Sequence, residues 1–278
     1  MDDSNQCHPI KLFGMTIFFP YQNPYGAQKA IMANSCRAFS QQKNALLESP
    51  TGTGKSLALL AAALAFQEST KQASKFQEET FDPNNSFDDP NCSDVRPPKI
   101  FYTSRTHQQL KQIITEFKRL PYHPKMSVLS SRSNLCIYKP VSMHANVDYH
   151  CRAERHNCPY AKKGKIVPPE LETGKFDIED LKKYCDENER CPFMIAREMA
   201  KTAEIVFAPY NYIIDQQIRD QMGIAIRQSI IIFDEAHNIE DICRETAKFT
   251  LKLSEIEIMK KEIQTAIDAP SDNSKWLT

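Results

Sequence analysis

Short apolar runs alternate along the chain with stretches of helix-forming residues. Four runs rich in β-branched and aromatic side chains predict buried strands, at 100–103, 126–129, 204–208 and 229–233. Three longer stretches between them predict helices, at 106–120, 191–203 and 212–222. Because strands that alternate with helices are typical of an α/β protein, we expect a doubly wound parallel sheet.

The pattern differs in three other parts of the chain. A short run at 45–47 is a further strand candidate, and residues 57–66 directly beyond it predict a helix. Residues 68–98 are rich in Asn, Asp, Ser and Pro, with six acids and no basic residue between Gln77 and Val95, so we expect a disordered surface insert. The stretch 253–269 predicts a last helix.

The bulk composition narrows the class of protein but names no partner. The 278 residues are 41% hydrophobic, and 35 Lys and Arg balance 35 Asp and Glu. Zero net charge gives no whole-chain argument for nucleic-acid binding. Residues 1–20 lack the apolar core of a signal peptide, and the longest apolar run is too short to span a bilayer. We therefore expect an intracellular protein whose nine cysteines are not disulfides.

The octet SPTGTGKS, which begins at Ser49, has the composition of a phosphate-binding loop. Gly52 and Gly54 permit positive φ angles and close approach of the backbone to phosphate oxygens. Lys55 can reach the β- and γ-phosphates, and the Ser56 hydroxyl can bind magnesium. Ser49 stands where the usual pattern has a glycine, so this is a variant loop. A chance glycine-rich turn is the alternative, which the flanking strand and helix candidates disfavour.

An acidic motif, DEAH, follows the last apolar run. Asp234 comes directly after that run, at the end of a strand where ligands bind in open α/β sheets. We expect Asp234 to bind magnesium, Glu235 to orient or deprotonate an attacking water, and His237 to link hydrolysis to bound nucleic acid. A helix N-cap at Asp234 is the structural alternative. The glycine loop and DEAH, in this order, predict a site that hydrolyses a nucleoside triphosphate.

Local charge gives a second candidate surface, which we call the basic segment, from Lys99 to Lys139. It contains eight Lys and Arg residues and one acid, Glu116. Such a segment can bind a phosphate backbone. From charge alone, a solvated basic face is an equal alternative.

Five cysteines fall close together in the sequence, at 136, 151, 158, 185 and 191. Cys158 and Cys191 each precede a proline, as does the last cysteine of a bacterial ferredoxin motif. The absence of a Cys-x-x-Cys pair weakens a zinc-ribbon interpretation, although three histidines keep zinc open, at 144, 150 and 156. Cys185 lies in a polar helix candidate and is left out as a ligand. Spacing alone leaves an iron–sulfur cluster, a zinc ion and free thiols as alternatives.

Several stretches of the sequence resemble the iron–sulfur superfamily 2 DNA helicases, the group that contains the XPD-type enzymes. These stretches are LLESPTGTGKSLALL at 46–60, YTSRTH at 102–107, LSSR at 129–132, CPF at 191–193, ARE at 196–198, PYNY at 209–212 and DEAHNIE at 234–240. The similarity covers nearly the whole chain apart from 68–98. Within the group, Ser56 and the run 57–60 favour the Fanconi anaemia group J type, a DNA-repair branch, over a telomere-maintenance branch.

The resemblance implies roles for individual residues. Gln28 would recognise adenine, and the loop would hold the phosphates through Thr51, Gly52, Thr53, Gly54, Lys55 and Ser56. The catalytic residues would be Lys55, Asp234, Glu235 and His237, and the magnesium ligands Ser56 and Asp234. The DNA strand would contact Thr103, Arg105 and Thr106. A [4Fe–4S] cluster would be bound by Cys136, Cys151, Cys158 and Cys191.

The resemblance also implies a domain layout and an activity. Residues 1–129 and 194–250 would form a RecA-like helicase lobe, 130–193 an inserted iron–sulfur domain, and 251–278 the start of an arch domain. The whole enzyme would be a nuclear, ATP-dependent 5′-to-3′ DNA helicase that acts on single-stranded and forked DNA together with repair proteins. Because a second lobe supplies arginines to the ATP site, we expect this chain alone to hydrolyse ATP poorly and not to unwind DNA. A non-enzymatic module that binds nucleic acid or a partner is the alternative.

Overall fold

The computed structural model describes residues 7–50, 52–79, 97–163, 166–248 and 253–268. The chain separates into two compact units, one that ends at Ile239 and one that begins at Glu240. The sheets, the hydrophobic core and the candidate site residues all lie in the first unit. Of the predicted residues, Thr51 lies outside the described part of the chain.

An antiparallel hairpin and two helices precede the central sheet. They are β1 (His8–Leu12), β2 (Met15–Phe19), α1 (Gly26–Ser40) and α2 (Lys55–Glu79). Buried and exposed residues alternate along β2, so its buried face packs into the core. Five alanines between Ala58 and Ala65 are buried in α2, which packs against both α1 and β2. The sequence pattern predicted α2 but neither the hairpin nor α1.

The central sheet has four parallel strands, as the alternating pattern predicted. They are β3 (Lys99–Ser104), β4 (Met126–Val128), β5 (Ile205–Pro209) and β6 (Ser229–Phe233), in the spatial order β4-β5-β3-β6. Each coincides with one of the four predicted runs to within one residue at either end. Parallel strands end at the same edge of a sheet, so the residues that follow β3, β5 and β6 come together there.

Helix α3 (His107–Lys118) joins β3 to β4, and its N-cap is Thr106. In the described part of the chain between β4 and α9 (Pro192–Thr202), five α-helices and a 3-10 helix at Pro159–Ala161 interrupt the strand–helix alternation. The five α-helices are α4 (Arg132–Leu135), α5 (Lys139–Ser142), α6 (Val147–Ala153), α7 (Pro169–Glu172) and α8 (Ile178–Glu187).

Three sequence predictions need correction. The run 45–47 is not a strand: Leu46 is 92% exposed, and only Leu47 packs against the core. Residues 68–79 are not disordered, because α2 continues through them, whereas 80–96 lie outside the described residues. The side chain of Gln67 anchors the middle of α2 by donating to the carbonyl oxygens of Pro98 and Glu204, at 2.7 and 2.9 Å.

The third correction concerns residues 212–222, which form two helices, α10 (Asn211–Ile214) and α11 (Gln216–Met222). Asp215 between them is extended, and its carboxylate accepts hydrogen bonds from the backbone of Gln217 and Ile218. This side chain competes with helix continuation by capping a new helix.

The second unit contains the greater part of α12 (Ile239–Thr246) and all of α13 (Leu253–Asp268). Helix α13 confirms the predicted last helix. Among the described residues, no helix is both long and apolar enough to cross a membrane.

Candidate nucleotide-binding site

The glycine loop adopts the turn that its composition predicts. Gly52 and Gly54 have φ angles of 76° and 69°, in the left-handed region that glycine tolerates. The Ser49 and Thr53 hydroxyls are 2.8 Å apart, and Thr53 donates to the Pro50 carbonyl at 2.9 Å. Since the Thr53 proton is used on Pro50, Ser49 is the donor in the first pair. The serine that replaces the usual glycine therefore closes the loop.

Gln28 lies directly against this loop. It is 3% exposed, and its Oε1 accepts a hydrogen bond from the Tyr25 backbone at 3.0 Å, at the start of α1. A Cβ added to Gly54 would come within 2.5 Å of the Gln28 Nε2. The structure thus brings the predicted adenine-binding residue and the phosphate loop into contact.

The loop lysine and the DEAH glutamate form an ion pair. The Lys55 Nζ lies 2.9 Å from the Glu235 Oε1, and about a quarter of each side chain is exposed. Glu235 has a φ angle of 57°, which is rare for a residue with a side chain. This backbone conformation turns the chain sharply after β6. The two halves of the predicted site therefore meet.

One of the two magnesium-ligand candidates is hydrogen-bonded to Tyr102 on β3. The Tyr102 hydroxyl donates to the Asp234 Oδ2 at 2.8 Å. Burial raises the pKa of Tyr102 well above its usual value, and the charge of Asp234 raises it further, although Ser56 opposes the shift, so the hydroxyl keeps its proton. A buried tyrosine therefore holds the Asp234 carboxylate from the neighbouring strand.

A second tyrosine fixes the backbone at the same point. The buried Tyr210 hydroxyl donates to the main-chain carbonyl of Asp234. Burial raises the pKa of Tyr210, and the charges of Asp234 and Glu235 add to this effect. The sequence assigned no role to either tyrosine, although both lie within family-like motifs. A tyrosine hydroxyl that reaches across a sheet edge leaves no spacing signal.

His237 and Asn238 extend the network from Glu235 toward solvent. The His237 Nδ1 lies 3.5 Å from the Glu235 Oε2, and the His237 side chain is 70% exposed. The Asn238 amide donates to the Glu235 carbonyl at 3.1 Å, and its Oδ1 accepts from Arg105 at 2.8 Å. A continuous chain of contacts thus leads from the exposed Arg105 to the Lys55–Glu235 pair.

The predicted DNA contacts differ in their exposure. Arg105 and Thr106 lie at the exposed carboxyl edge of β3. Thr103, in contrast, is fully buried, and its hydroxyl donates to the Ile232 carbonyl at 2.7 Å. The Thr103 side chain joins β3 to β6 inside the sheet, where it cannot reach a DNA phosphate in this conformation.

Most cations of the basic segment have carboxylate partners. Five of its eight basic residues lie within 4 Å of an acid, in the pairs Lys111–Glu179, Lys118–Asp180, Arg119–Glu116, Lys125–Glu172 and Arg132–Asp148. Four of these acids come from the part of the chain between α5 and α9. The segment is therefore less basic in the fold than in the sequence. Exposed pairs of this kind contribute only about 0–1 kcal/mol each, so phosphates can replace them.

The four predicted cluster ligands are partly buried free thiols in one region of the fold. Burial raises the pKa of Cys136 and Cys191, and nearby charges on Cys151 and Cys158 raise both further. Each thiol of the first pair is thus within electrostatic range of both thiols of the second. Within the described residues, no three His, Cys, Asp or Glu side chains are grouped closely enough to bind one metal ion. Cys185 is fully buried, and burial raises its pKa to about 12.

The donor set at the nucleotide site fits magnesium. A hydroxyl from Ser56 and a carboxylate from Asp234 are hard oxygen ligands, of the kind that Mg²⁺ prefers when it also binds phosphates. Lys55, beside them, supplies the compensating positive charge. The residues that would bind a magnesium–nucleotide complex therefore lie together at the carboxyl edge of the sheet.

Comparisons with known proteins agree with this geometry. Among curated proteins, "Regulator of telomere elongation helicase 1" from Mus musculus is 38% identical over 268 residues, which cover 87% of this chain and 22% of that protein. The Homo sapiens protein of that name is also 38% identical, over 87% of this chain and 22% of its own length. The Caenorhabditis elegans homologue is 34% identical, over 91% of this chain and 27% of its own length. The chain thus spans about a fifth to a quarter of the length of these relatives.

Solved structures show the same fold. "XPD_Helicase" aligns with a TM-score of 0.54 at 20% identity, over 80% of this chain and 34% of that chain. "Truncated XPD" aligns with a TM-score of 0.51 at 20% identity, over 87% of this chain and 60% of that chain. The DEAD_2 family model matches residues 102–256, more than half of the chain. The chain therefore belongs to the DEAD_2 family.

Proposed function

We propose that this chain is the ATP-binding part of an ATP-dependent DNA helicase. The ion pair between Lys55 and Glu235 supports the proposal most strongly, because it joins the phosphate loop to the acidic turn. ATP phosphates would draw Lys55 away from Glu235. The freed carboxylate could then accept a hydrogen bond from a water molecule and orient it toward the γ-phosphate.

The remaining side chains would position the nucleotide. Magnesium, when bound by Ser56 and Asp234, would neutralise charge on the β- and γ-phosphates. The backbone N–H groups of the glycine loop and the N-terminus of α2 would bind phosphate oxygens. Gln28, which lies against the loop, would contact the adenine edge.

Nucleotide binding by the 278-residue chain tests this proposal. We expect Lys55→Ala to abolish magnesium-dependent binding of a fluorescent ATP analogue. Lys71→Ala is the matched control, because Lys71 is on the same helix and pairs with Glu204 at 2.7 Å, away from the loop. Equal nucleotide binding by the wild type and the Lys55 variant would favour the alternative of a non-enzymatic nucleic-acid-binding module.

Strand separation, in the 5′-to-3′ direction, is proposed for the whole enzyme. Arg105 and Thr106 would contact strand phosphates, and Thr103 is left out because it is buried. The chain alone is expected to bind ATP weakly and not to unwind DNA, since catalysis would need an arginine from another lobe.

The branch of the family remains a choice between two proposals. The run 57–60 with Ser56 favours a nuclear DNA-repair helicase, whereas the names of the relatives favour telomere maintenance. The two predict different substrates for the whole enzyme. Preferential unwinding of forked repair intermediates would support the first, and preferential unwinding of telomeric DNA the second.

A [4Fe–4S] cluster bound by Cys136, Cys151, Cys158 and Cys191 is the other part of the proposal. All four are partly buried free thiols, and Cys151 and Cys158 are near enough to Cys136 and Cys191 to interact with them electrostatically, which supports the assignment. We expect the purified protein to contain iron and sulfide and to show the visible absorption of a cluster. Cys136→Ser should remove the absorption, whereas Cys243→Ser, at an exposed thiol in the second unit, should not. Stoichiometric zinc without iron would contradict this assignment.

A further inference from the structure

We propose that Tyr102 is a positioning residue that orients the magnesium ligand Asp234 through a hydrogen bond to its carboxylate. This inference rests on the proposed nucleotide site and adds a residue to it. It starts from the observation that a fully buried hydroxyl donates to this ligand at 2.8 Å.

The direction of this hydrogen bond follows from the chemistry of the two groups. Asp234 is a carboxylate and can only accept, so the single Tyr102 proton is donated to its Oδ2. The Asp234 Oδ1 is left unused by this hydrogen bond. Its lone pairs are the ones that a magnesium ion needs.

The position of the hydroxyl is set by the sheet. Tyr102 is fully buried on β3, paired in register with Ile232 on β6 and Phe207 on β5. Its ring centroid lies 5.8 Å from that of Phe207. Tyr210 holds the Asp234 main chain from another side. The hydroxyl is therefore held by packing, and the Asp234 carboxylate adjusts to it.

Magnesium makes such orientation consequential. It requires nearly ideal octahedral geometry at short distances, so a rotated carboxylate weakens binding. Loss of a group that orients a metal ligand costs about 10- to 100-fold in metal affinity or activity. A purely structural tyrosine would instead affect folding without changing metal dependence.

Tyr102→Phe in the 278-residue chain tests the proposal, since it removes the hydroxyl and keeps the ring. Binding of a fluorescent ATP analogue would be measured during a magnesium titration and again in EDTA. We expect the apparent magnesium affinity to fall by about 10- to 100-fold, with binding in EDTA unchanged. An unchanged magnesium affinity in a folded variant would overturn the proposal.

Tyr122→Phe is the matched control. Tyr122 is also buried, and its hydroxyl accepts a hydrogen bond from the Phe18 backbone at 2.9 Å, in the hairpin region. The Tyr122→Phe variant should lose a comparable buried hydrogen bond and keep the wild-type magnesium affinity. An equal loss in both variants would show a general effect of buried hydroxyls and would also overturn the proposal.

A second measurement avoids the substitution, in case Tyr102→Phe does not fold. In wild-type protein with isotope-labelled tyrosine ring carbons, the NMR signal of the Tyr102 carbon that bears the hydroxyl should shift when magnesium joins the nucleotide. The Tyr122 signal should not move. If the Tyr102 signal does not shift with magnesium while nucleotide binding remains magnesium-dependent, the role of Tyr102 is contradicted and the proposed nucleotide site is not. Nucleotide binding without any magnesium dependence would instead contradict the proposed site.

Discussion

At the residue scale, left-handed backbone positions on both halves of the site bring the halves together. Gly54 and Glu235 have φ angles of 69° and 57°, and the lysine that follows Gly54 pairs with Glu235. Glycine adopts this conformation freely, whereas a residue with a side chain loses about 1–2 kcal/mol. Such strain is found mostly at functional sites, where the surrounding structure maintains it. At Glu235 it places the carboxylate beside the phosphate loop.

Gly54→Ala should disrupt nucleotide binding more than Gly52→Ala. Both substitutions place a side chain at positive φ, which costs about 1–2 kcal/mol. Only at Gly54 does the new Cβ also meet Gln28, at 2.5 Å, whereas nothing lies within 4 Å at Gly52. Nucleotide titrations and thermal melts of both variants check this. The additional substitution Gln28→Ala should partly restore the melting temperature of the Gly54 variant, and no restoration of the melting temperature would contradict the steric explanation.

The partly buried side chain of His107 should make the free energy of unfolding depend on pH. Burial lowers its pKa below the ordinary 6.5, an effect that the Glu179 charge opposes, and its Nδ1 lacks a hydrogen-bond partner among the described residues. The unfolded chain therefore takes up a proton before the folded chain does. Below about pH 6.5 the free energy of unfolding falls as the pH is lowered, and above it this contribution is constant.

Denaturant unfolding of the wild type and of His107→Gln at several pH values tests this prediction. The variant should lose less stability than the wild type as the medium becomes acidic. His123→Gln, at an exposed histidine, serves as the control. A wild-type pH profile that His107→Gln does not alter would show that His107 does not titrate differently in the folded state.

At the element scale, the site depends on the carboxyl ends of β3 and β6. Arg105 follows β3 and Asn238 lies in the turn after β6, and their hydrogen bond of 2.8 Å joins the two ends. Asn238 also donates to the Glu235 carbonyl. Movement of the exposed Arg105 toward a strand phosphate would therefore disturb the turn that holds Glu235.

Asn238→Ala should weaken the coupling between DNA and nucleotide. In the wild type we expect single-stranded DNA to change the nucleotide affinity by a coupling energy of about 1–3 kcal/mol. The variant should retain both separate affinities and lose most of the coupling. Asn188→Ala, which removes a side-chain hydrogen bond to Tyr184 in α8, is the control. Full coupling in the Asn238 variant would show that another route connects the two ligands.

The strands were predictable from the sequence because a parallel sheet buries continuous apolar runs, and β6 matches its run residue for residue. The strand prediction at 45–47 was wrong because these three residues have no paired neighbouring strand, and because Leu46 is exposed. Helix 212–222 was mispredicted because Asp215 caps a new helix inside an otherwise helical stretch. Local helix propensity could not show which side chains compete for backbone hydrogen bonds.

The site was predictable to the level of its motifs. The ion pair between Lys55 and Glu235 follows from two motifs that a doubly wound fold brings to one edge. Tyr102 and Asn238 were missed because their roles depend on contacts across strands, which sequence spacing does not encode. Burial of Thr103 was missed for the same reason.

At the scale of the whole molecule, the hydrophobic core belongs to the first unit. Its buried residues lie between Met15 and Ile232. In the second unit, α13 exposes a stripe of large apolar side chains at Leu253, Ile256, Met259, Ile263 and Ile267. Such a stripe contributes to surface hydrophobicity and not to the core described here.

A chain that ends at residue 248 should therefore keep its fold and its site. We expect an unchanged melting temperature and nucleotide affinity, because no core residue is removed. Binding of a hydrophobic dye should decrease, because the apolar stripe of α13 is absent. A large drop in melting temperature would show that the residues after 248 stabilise the first unit.

The most direct test of the account is a crystal structure of the chain with a nonhydrolysable ATP analogue and Mn²⁺ in place of magnesium. The account predicts one anomalous peak at about 2.1 Å from the Ser56 hydroxyl, with Asp234 bound directly or through one water. Lys55 should have left Glu235 for the phosphates. A nucleotide bound elsewhere, or an ion beyond the reach of both Ser56 and Asp234, would contradict the central claim.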